Sequence, residues 1–175
     1  MFSQTTRAAH ALRGAVFTAI LLLGTGPSLH GGAVAASNPF TGLAGSWSGD
    51  GTIKLSSGDS ERIRCRVTYA VSGGGNSLRQ DLRCASDSYK LDVESEITYN
   101  SGAGRVSGTW AESNYGVGVF LSGSVSGGQI RAKVEGPSFS ATVNVTTSGS
   151  QQSVTIRPQG SDVAEVAVTL RKGGG

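Results

Sequence analysis

Cys65 and Cys84 are the two thiols of this 175-residue chain, and what they can do depends on whether they meet. Ile63, Cys65, Val67, Tyr69 and Val71 fall at every second position, with Arg62, Arg64, Arg66 and Thr68 between them, the pattern of a strand that buries one face. Gly73-Gly74-Gly75-Asn76 then supplies residues that tolerate the positive φ of a tight turn. A turn centred on Gly74 and Gly75 sets Val71 against Leu78, Tyr69 against Gln80, Val67 against Leu82 and Cys65 against Cys84. Directly opposed residues of an antiparallel pair have Cα atoms about 4.5 to 5.5 Å apart, inside the range a disulfide spans. The thiol chemistry expected here is a structural bridge, not a nucleophile or a metal ligand.

The histidines, His10 and His30, both lie in an N-terminal stretch with the features of a secretory leader. Arg7 and Arg13 precede the apolar run from Ala15 to Gly24, and Ala33-Val34-Ala35 offers the small residues a signal peptidase reads. The run is shorter than the roughly 20 residues a bilayer span needs, and no cysteine near the cleavage site could take a lipid. The expected product, residues 36–175, is a soluble single domain of about 140 residues. It is exported to a periplasm or exterior that keeps a disulfide closed. Without histidine or free thiol it has no serine triad, cysteine nucleophile or common zinc site, so we expect a non-catalytic protein without metal or cofactor. Loss of Arg7 and Arg13 lowers the formal charge from +3 to about +1, too little for binding nucleic acid or acidic membrane by bulk charge.

Other polar side chains are sorted by alternation. Glu112 shares the inward parity of Trp110 and reads either as a strand-end carboxylate reaching solvent or as a polar anchor inside a cavity. Asp92, Glu94 and Glu96 alternate outward and read as solvated surface. Tyr69, Gln80, Tyr89, Ser95, Tyr99 and Gln152 share inward parity and could orient a ligand in a largely apolar pocket. Arg64, Arg66, Arg79 and Arg83 share one outer face of the cysteine hairpin, with Arg66 opposite Arg83, a like-charge pair that disfavours pairing unless an anion or acid relieves it. Asp81 is set opposite Thr68, close to both arginines, and the face reads as solvated surface or as a docking face for an acidic partner or a lipopolysaccharide-like phosphate.

The elements that hold these residues are strands. Glycine is abundant, at 27 residues, proline sparse, at 4, and no window after Ser37 shows apolar residues at helical spacing. The expected fold is all-β: about ten short strands in an antiparallel up-and-down meander over residues 46–171, closing into a barrel because closure removes exposed edges. An arm (36–45), with Asn38 to Ala44 forming one short turn of helix that plugs one end, precedes it, and a flexible tail (172–175) follows. A turn at Ser101-Gly102 sets Ser95 against Gly108 and Val93 against Trp110. Gly127-Gly128 sets Val125 against Ile130, and Ser148-Gly149 sets Val143 against Val154. Phe120 turns outward. Small inward residues, Gly49, Gly51, Ser95, Gly108, Ala132 and Ala141, suggest either a flattened barrel or a cavity.

Gly45-Ser46-Trp47 at the start of the first strand and Arg171 after the last resemble the signature of the calycin superfamily, the lipocalins, fatty-acid-binding proteins and their relatives. The resemblance implies that Trp47 closes one barrel end and that Arg171 packs across it. Ten strands resemble the fatty-acid-binding and nitrobindin branches, and Trp47-Ser48-Gly49-Asp50-Gly51 is similar to the nitrobindin opening. Nitrobindins hold haem through a late histidine, and the mature chain has none, so no haem is expected.

Two functional expectations follow. The first is a secreted, monomeric barrel that binds a small apolar or amphipathic ligand, with Tyr69, Gln80, Tyr89, Ser95, Tyr99, Gly108, Trp110 and Glu112 as cavity residues. The second is a protein-interaction module, such as a periplasmic protease inhibitor, that presents Ser37 to Leu43 to a partner. A carrier needs an accessible interior, whereas an inhibitor needs an exposed, extended arm.

Overall fold

The structure, a computed structural model, describes residues 38–173. The leader assigned to residues 1–35, the start of the arm and the last two glycines lie outside the described residues. Ten antiparallel strands follow one another: β1 (Gly45–Leu55), β2 (Ser60–Ser72), β3 (Ser77–Ala85), β4 (Lys90–Asn100), β5 (Arg105–Glu112), β6 (Val117–Ser126), β7 (Gln129–Glu135), β8 (Ser140–Ser148), β9 (Gln151–Gln159) and β10 (Val163–Lys172). Each pairs with its neighbour in sequence, and β1 pairs with β10, so the meander closes into a barrel. Closure carries β10 through Lys172, which is therefore part of the barrel and not of a tail.

The alternation read from sequence is the alternation of the walls. Ile63, Cys65, Val67 and Tyr69 point inward from β2 and are buried, while Phe120 points out and is 77 % exposed. The cysteine hairpin takes the expected register throughout, from Val71 opposite Leu78 to Cys65 opposite Cys84. The two cysteines are bridged, with Cα atoms 4.1 Å apart. Val125 likewise pairs with Ile130 across Gly127-Gly128, both glycines having positive φ.

Two registers differ from the sequence reading by two residues. Ser95 lies opposite Trp110, Val93 opposite Glu112 and Gly108 opposite Ile97, so Ser95 and Gly108 do not face each other. Val143 lies opposite Ile156 in place of Val154. In the first case the left-handed residue is Gly104 and not Gly102, which makes the connection a longer loop. In the second, Gly149 is the first central residue of the turn and not the second. A slip of two keeps every side chain on its face, which is why both errors left the core intact.

One end of the barrel is closed by the segment before β1. Thr41 and Leu43 donate their backbone N–H groups to the carbonyls of Asn38 and Phe40, folding the segment into successive turns and not the expected turn of helix. This seats Phe40 and Leu43 in the core. Phe40 meets the Tyr99 ring edge-on at 6.5 Å, Asn38 Nδ2 donates to the Gly74 carbonyl at 2.7 Å, and Trp47 Nε1 donates to the Leu43 carbonyl at 2.7 Å. The arm is a plug.

The residue that covers Trp47 is not Arg171. Trp47 is paired with Lys172, and Arg171 with Ser48, so Arg171 has outward parity. Lys172 Nζ lies 5.8 Å from the centre of the Trp47 ring and donates to the Gly42 carbonyl at 2.9 Å. A lysine thus supplies the cation over the buried tryptophan.

Candidate functional site

Small inward residues do two different things in this barrel. At Gly49 and Gly51 an added Cβ would fall 1.8 and 2.1 Å from carbonyl oxygens of β10; at Gly108 it would fall 2.0 Å from that of Glu96. These glycines are sites of close backbone approach, the mark of a tight bend at a barrel corner. Gly108 is therefore a corner residue and not the cavity residue its parity suggests. Ala132, Ala141 and Ser95, by contrast, are buried side chains of the interior wall.

What space remains is a central cavity of about 110 Å³. Its wall is mostly apolar, with Tyr69, Gln80, Ser95 and Gln152 as polar members and Trp110 among the rest. Tyr69, Gln80, Ser95 and Trp110 are successive cross-strand partners on β2, β3, β4 and β5, one row around the inner wall. Tyr69 Oη donates to Gln152 Oε1 across the interior at 2.7 Å, and Gln152 Nε2 donates to Thr147 Oγ1 at 3.1 Å. Burial pushes the Tyr69 hydroxyl far above its ordinary pKa, and its bond to Gln152 offsets only part of this, so the group stays a neutral donor. Tyr69 and Gln152 are thus committed to each other. Gln80 and Ser95 line the cavity as well.

At the end opposite the plug a mouth of about 290 Å³ opens beside Ile63, Phe139 and Val163. It shares Leu91, Trp110, Ile156 and Val166 with the central cavity. Trp110 stands at the junction, its ring 5.3 Å from that of Phe139. Tyr89 Oη donates to Asp162 Oδ2 at 3.3 Å, linking the β3–β4 connection to the β9–β10 turn at the mouth. Partial desolvation and the Asp162 carboxylate both raise the Tyr89 pKa.

Glu112 lines this mouth but is neither a strand-end group in solvent nor a free anchor. It is 4 % exposed, and its carboxylate accepts from Asp92 N–H at 2.8 Å, Asn114 Nδ2 at 2.9 Å and Tyr115 N–H at 2.6 Å. Burial raises its pKa, but these donors outweigh burial and hold the carboxyl below its usual value. The group shapes the β5–β6 turn and ties it to β4.

The eight cavity residues expected from sequence therefore separate. Tyr69, Gln80, Ser95 and Trp110 line the cavity, Tyr89, Trp110 and Glu112 line the mouth, Tyr99 packs under the plug, and Gly108 makes a corner. The arginine face separates too. Arg64 pairs with Asp50 at 3.4 Å, Arg79 with Glu94 at 3.5 Å and Glu96 at 3.8 Å, and Arg83 with Asp92 at 3.4 Å. Sequence reading does not place Lys172, Phe139 or Asp162 at a site, although it sets Phe139 near Val134 across Gly136-Pro137, where register puts Ala141. The parity of Leu170 was signal enough for Lys172; the other two lie in turns, where alternation carries no information.

Comparison with protein-family profiles and with curated proteins returns no match. Among solved structures the chain is similar to the crystal structure of Rv2717c from M. tuberculosis. The match covers 77 % of this chain and 94 % of that one, with a TM-score of 0.60 and 16 % sequence identity. The likeness is one of fold. Among the described residues no helix is long and apolar enough to cross a membrane and no acidic, histidine or cysteine cluster could hold a metal.

Proposed function

We propose that this protein is an exported, calycin-like barrel that binds a small amphipathic ligand without catalysis, its apolar part in the central cavity and its polar part at the mouth. The observation that carries this reading is adjacency: Leu91, Trp110, Ile156 and Val166 line both spaces and are the side chains that stand between them, while the far end is plugged by Phe40 and Leu43. The disulfide suits an oxidising compartment. Volume sets the ligand class. An apolar cavity of about 150 Å³ holds a benzene ring, so a central cavity of about 110 Å³ takes a short alkyl or small cyclic group and not a whole long-chain fatty acid. The interaction-module reading is the weaker one, because the arm it needs extended is folded into the barrel end.

Native mass spectrometry of protein purified from its own source, with Trp110 fluorescence during titration by octanoate, tests the proposal. Octanoate is expected to saturate and shift the emission, and Ala132→Leu, which fills the cavity wall, to weaken it about tenfold or more. Absence of saturation with octanoate and of any co-purified small molecule would refute it.

A further inference from the structure

The outer wall carries a cluster of arginines separate from the interior. Register places Arg171, Ser48, Arg66 and Arg83 side by side on the outer face of β10, β1, β2 and β3, and together they line a groove with Asp50 and Asp81. Neighbouring strands lie about 4.8 Å apart, so Arg66 stands next to Arg83 and about 10 Å from Arg171, with Ser48 between. Like charges directly opposed on a sheet are destabilising. Arg83 is relieved by Asp92, and the nearby Asp50 carboxylate is taken by Arg64. Among the described residues Arg66 and Arg171 make no ion pair. Two guanidinium groups without an ion-pair partner therefore flank one hydroxyl, on strands whose pairing fixes their Cα spacing, with the Asp50 and Asp81 carboxylates lining the same groove.

We propose that this groove binds a phosphate monoester, its oxyanion held between Arg66 and Arg171 over the Ser48 hydroxyl, with Arg83 at the edge. Guanidinium forks match phosphate oxygens in bidentate geometry, and the bound dianion supplies Arg66 and Arg171 with the counter-charge that Asp92 already gives Arg83. The surroundings select a single small anion over an anionic surface. Asp50, Glu94 and Glu96 are 58 %, 62 % and 76 % exposed on the same wall, where a flat layer of acidic headgroups would meet them.

The test is a titration of the mature protein with phenyl phosphate at low ionic strength, followed by amide chemical shifts, beside flotation with phosphatidylglycerol vesicles. Saturable shifts at Ser48, Arg66 and Arg171 are expected, with no co-flotation. The Arg66→Gln/Arg171→Gln variant should bind about tenfold or more weakly and Arg131→Gln, on the far wall, as wild type. If the double variant does not fold, Arg66→Gln alone must weaken binding several-fold. Unsaturable shifts, equal loss in Arg131→Gln, or vesicle binding without phosphate ester binding would each overturn the assignment. Octanoate binding is expected to be unchanged by these substitutions, so this site and the interior site fail or stand separately.

Discussion

Replacing Gly108 by alanine separates a corner from a void. The added methyl would sit 2.0 Å from the Glu96 carbonyl oxygen and 2.9 Å from Ile97 Cα, against a comfortable separation of about 3.5 Å. Relief requires β4 and β5 to part by about 1 Å or more where Ile97 faces Gly108, stretching ladder hydrogen bonds each worth about 1 kcal/mol net. Adding overpacking strain of about 1 to 3 kcal/mol, Gly108→Ala should cost about 2 to 4 kcal/mol and lower the melting temperature by about 10 °C. Gly118, on the adjacent strand, has nothing within 4 Å of its added Cβ. Gly118→Ala should therefore be neutral or stabilising by up to about 1 kcal/mol, through the unfolded chain. Thermal and urea unfolding followed by circular dichroism, without reductant, measures both. A Gly108→Ala protein as stable as wild type would refute the corner assignment and restore this position to the cavity.

Three further outcomes are expected. Cys65→Ser/Cys84→Ser should lose about 2 to 4 kcal/mol in urea unfolding, and reductant should lower the wild-type midpoint but not that of the variant. Lys172→Ala, which uncovers Trp47 and frees the Gly42 carbonyl, should cost about 1 kcal/mol, whereas Arg171→Ala on the outer face should stay within about 0.5 kcal/mol; equal melting temperatures would contradict the packing. Because the folded-state pKa of Glu112 is lowered, its contribution is present above the unfolded value of about 4.3 and lost as pH falls through the folded value. Glu112→Gln should thus cost about 1 to 2 kcal/mol at neutral pH and show a flatter stability profile than wild type below about pH 5, read from urea midpoints.

The cysteine hairpin shows how far local pattern reaches. Its alternation, its glycine turn and its two thiols each imply one register, and the three agree because all are short-range consequences of strand geometry. At Ser101 to Gly104 and Ser148 to Ser150 only the turn carried information. Several glycines and serines could occupy its centre, so the register was ambiguous by two residues although the buried face was not. Parity likewise placed Tyr69, Gln80, Ser95 and Trp110 on the inner wall, but it could not say which of them share a space.

From sequence alone come the all-β meander, the inward and outward faces, the bridged cysteines and the turn that plugs one end, because each depends on neighbours along the chain or directly across one turn. Closure of β1 on β10 decided the rest. It pairs Trp47 with Lys172 and not Arg171, and brings Tyr69 within reach of Gln152. It also puts Arg171 and Arg66 either side of Ser48, and turns Gly49 and Gly51 from presumed empty space into corners filled by the backbone of β10. These contacts join residues from opposite ends of the chain, whose separation is set by how ten twisted strands close and not by any spacing written along the sequence.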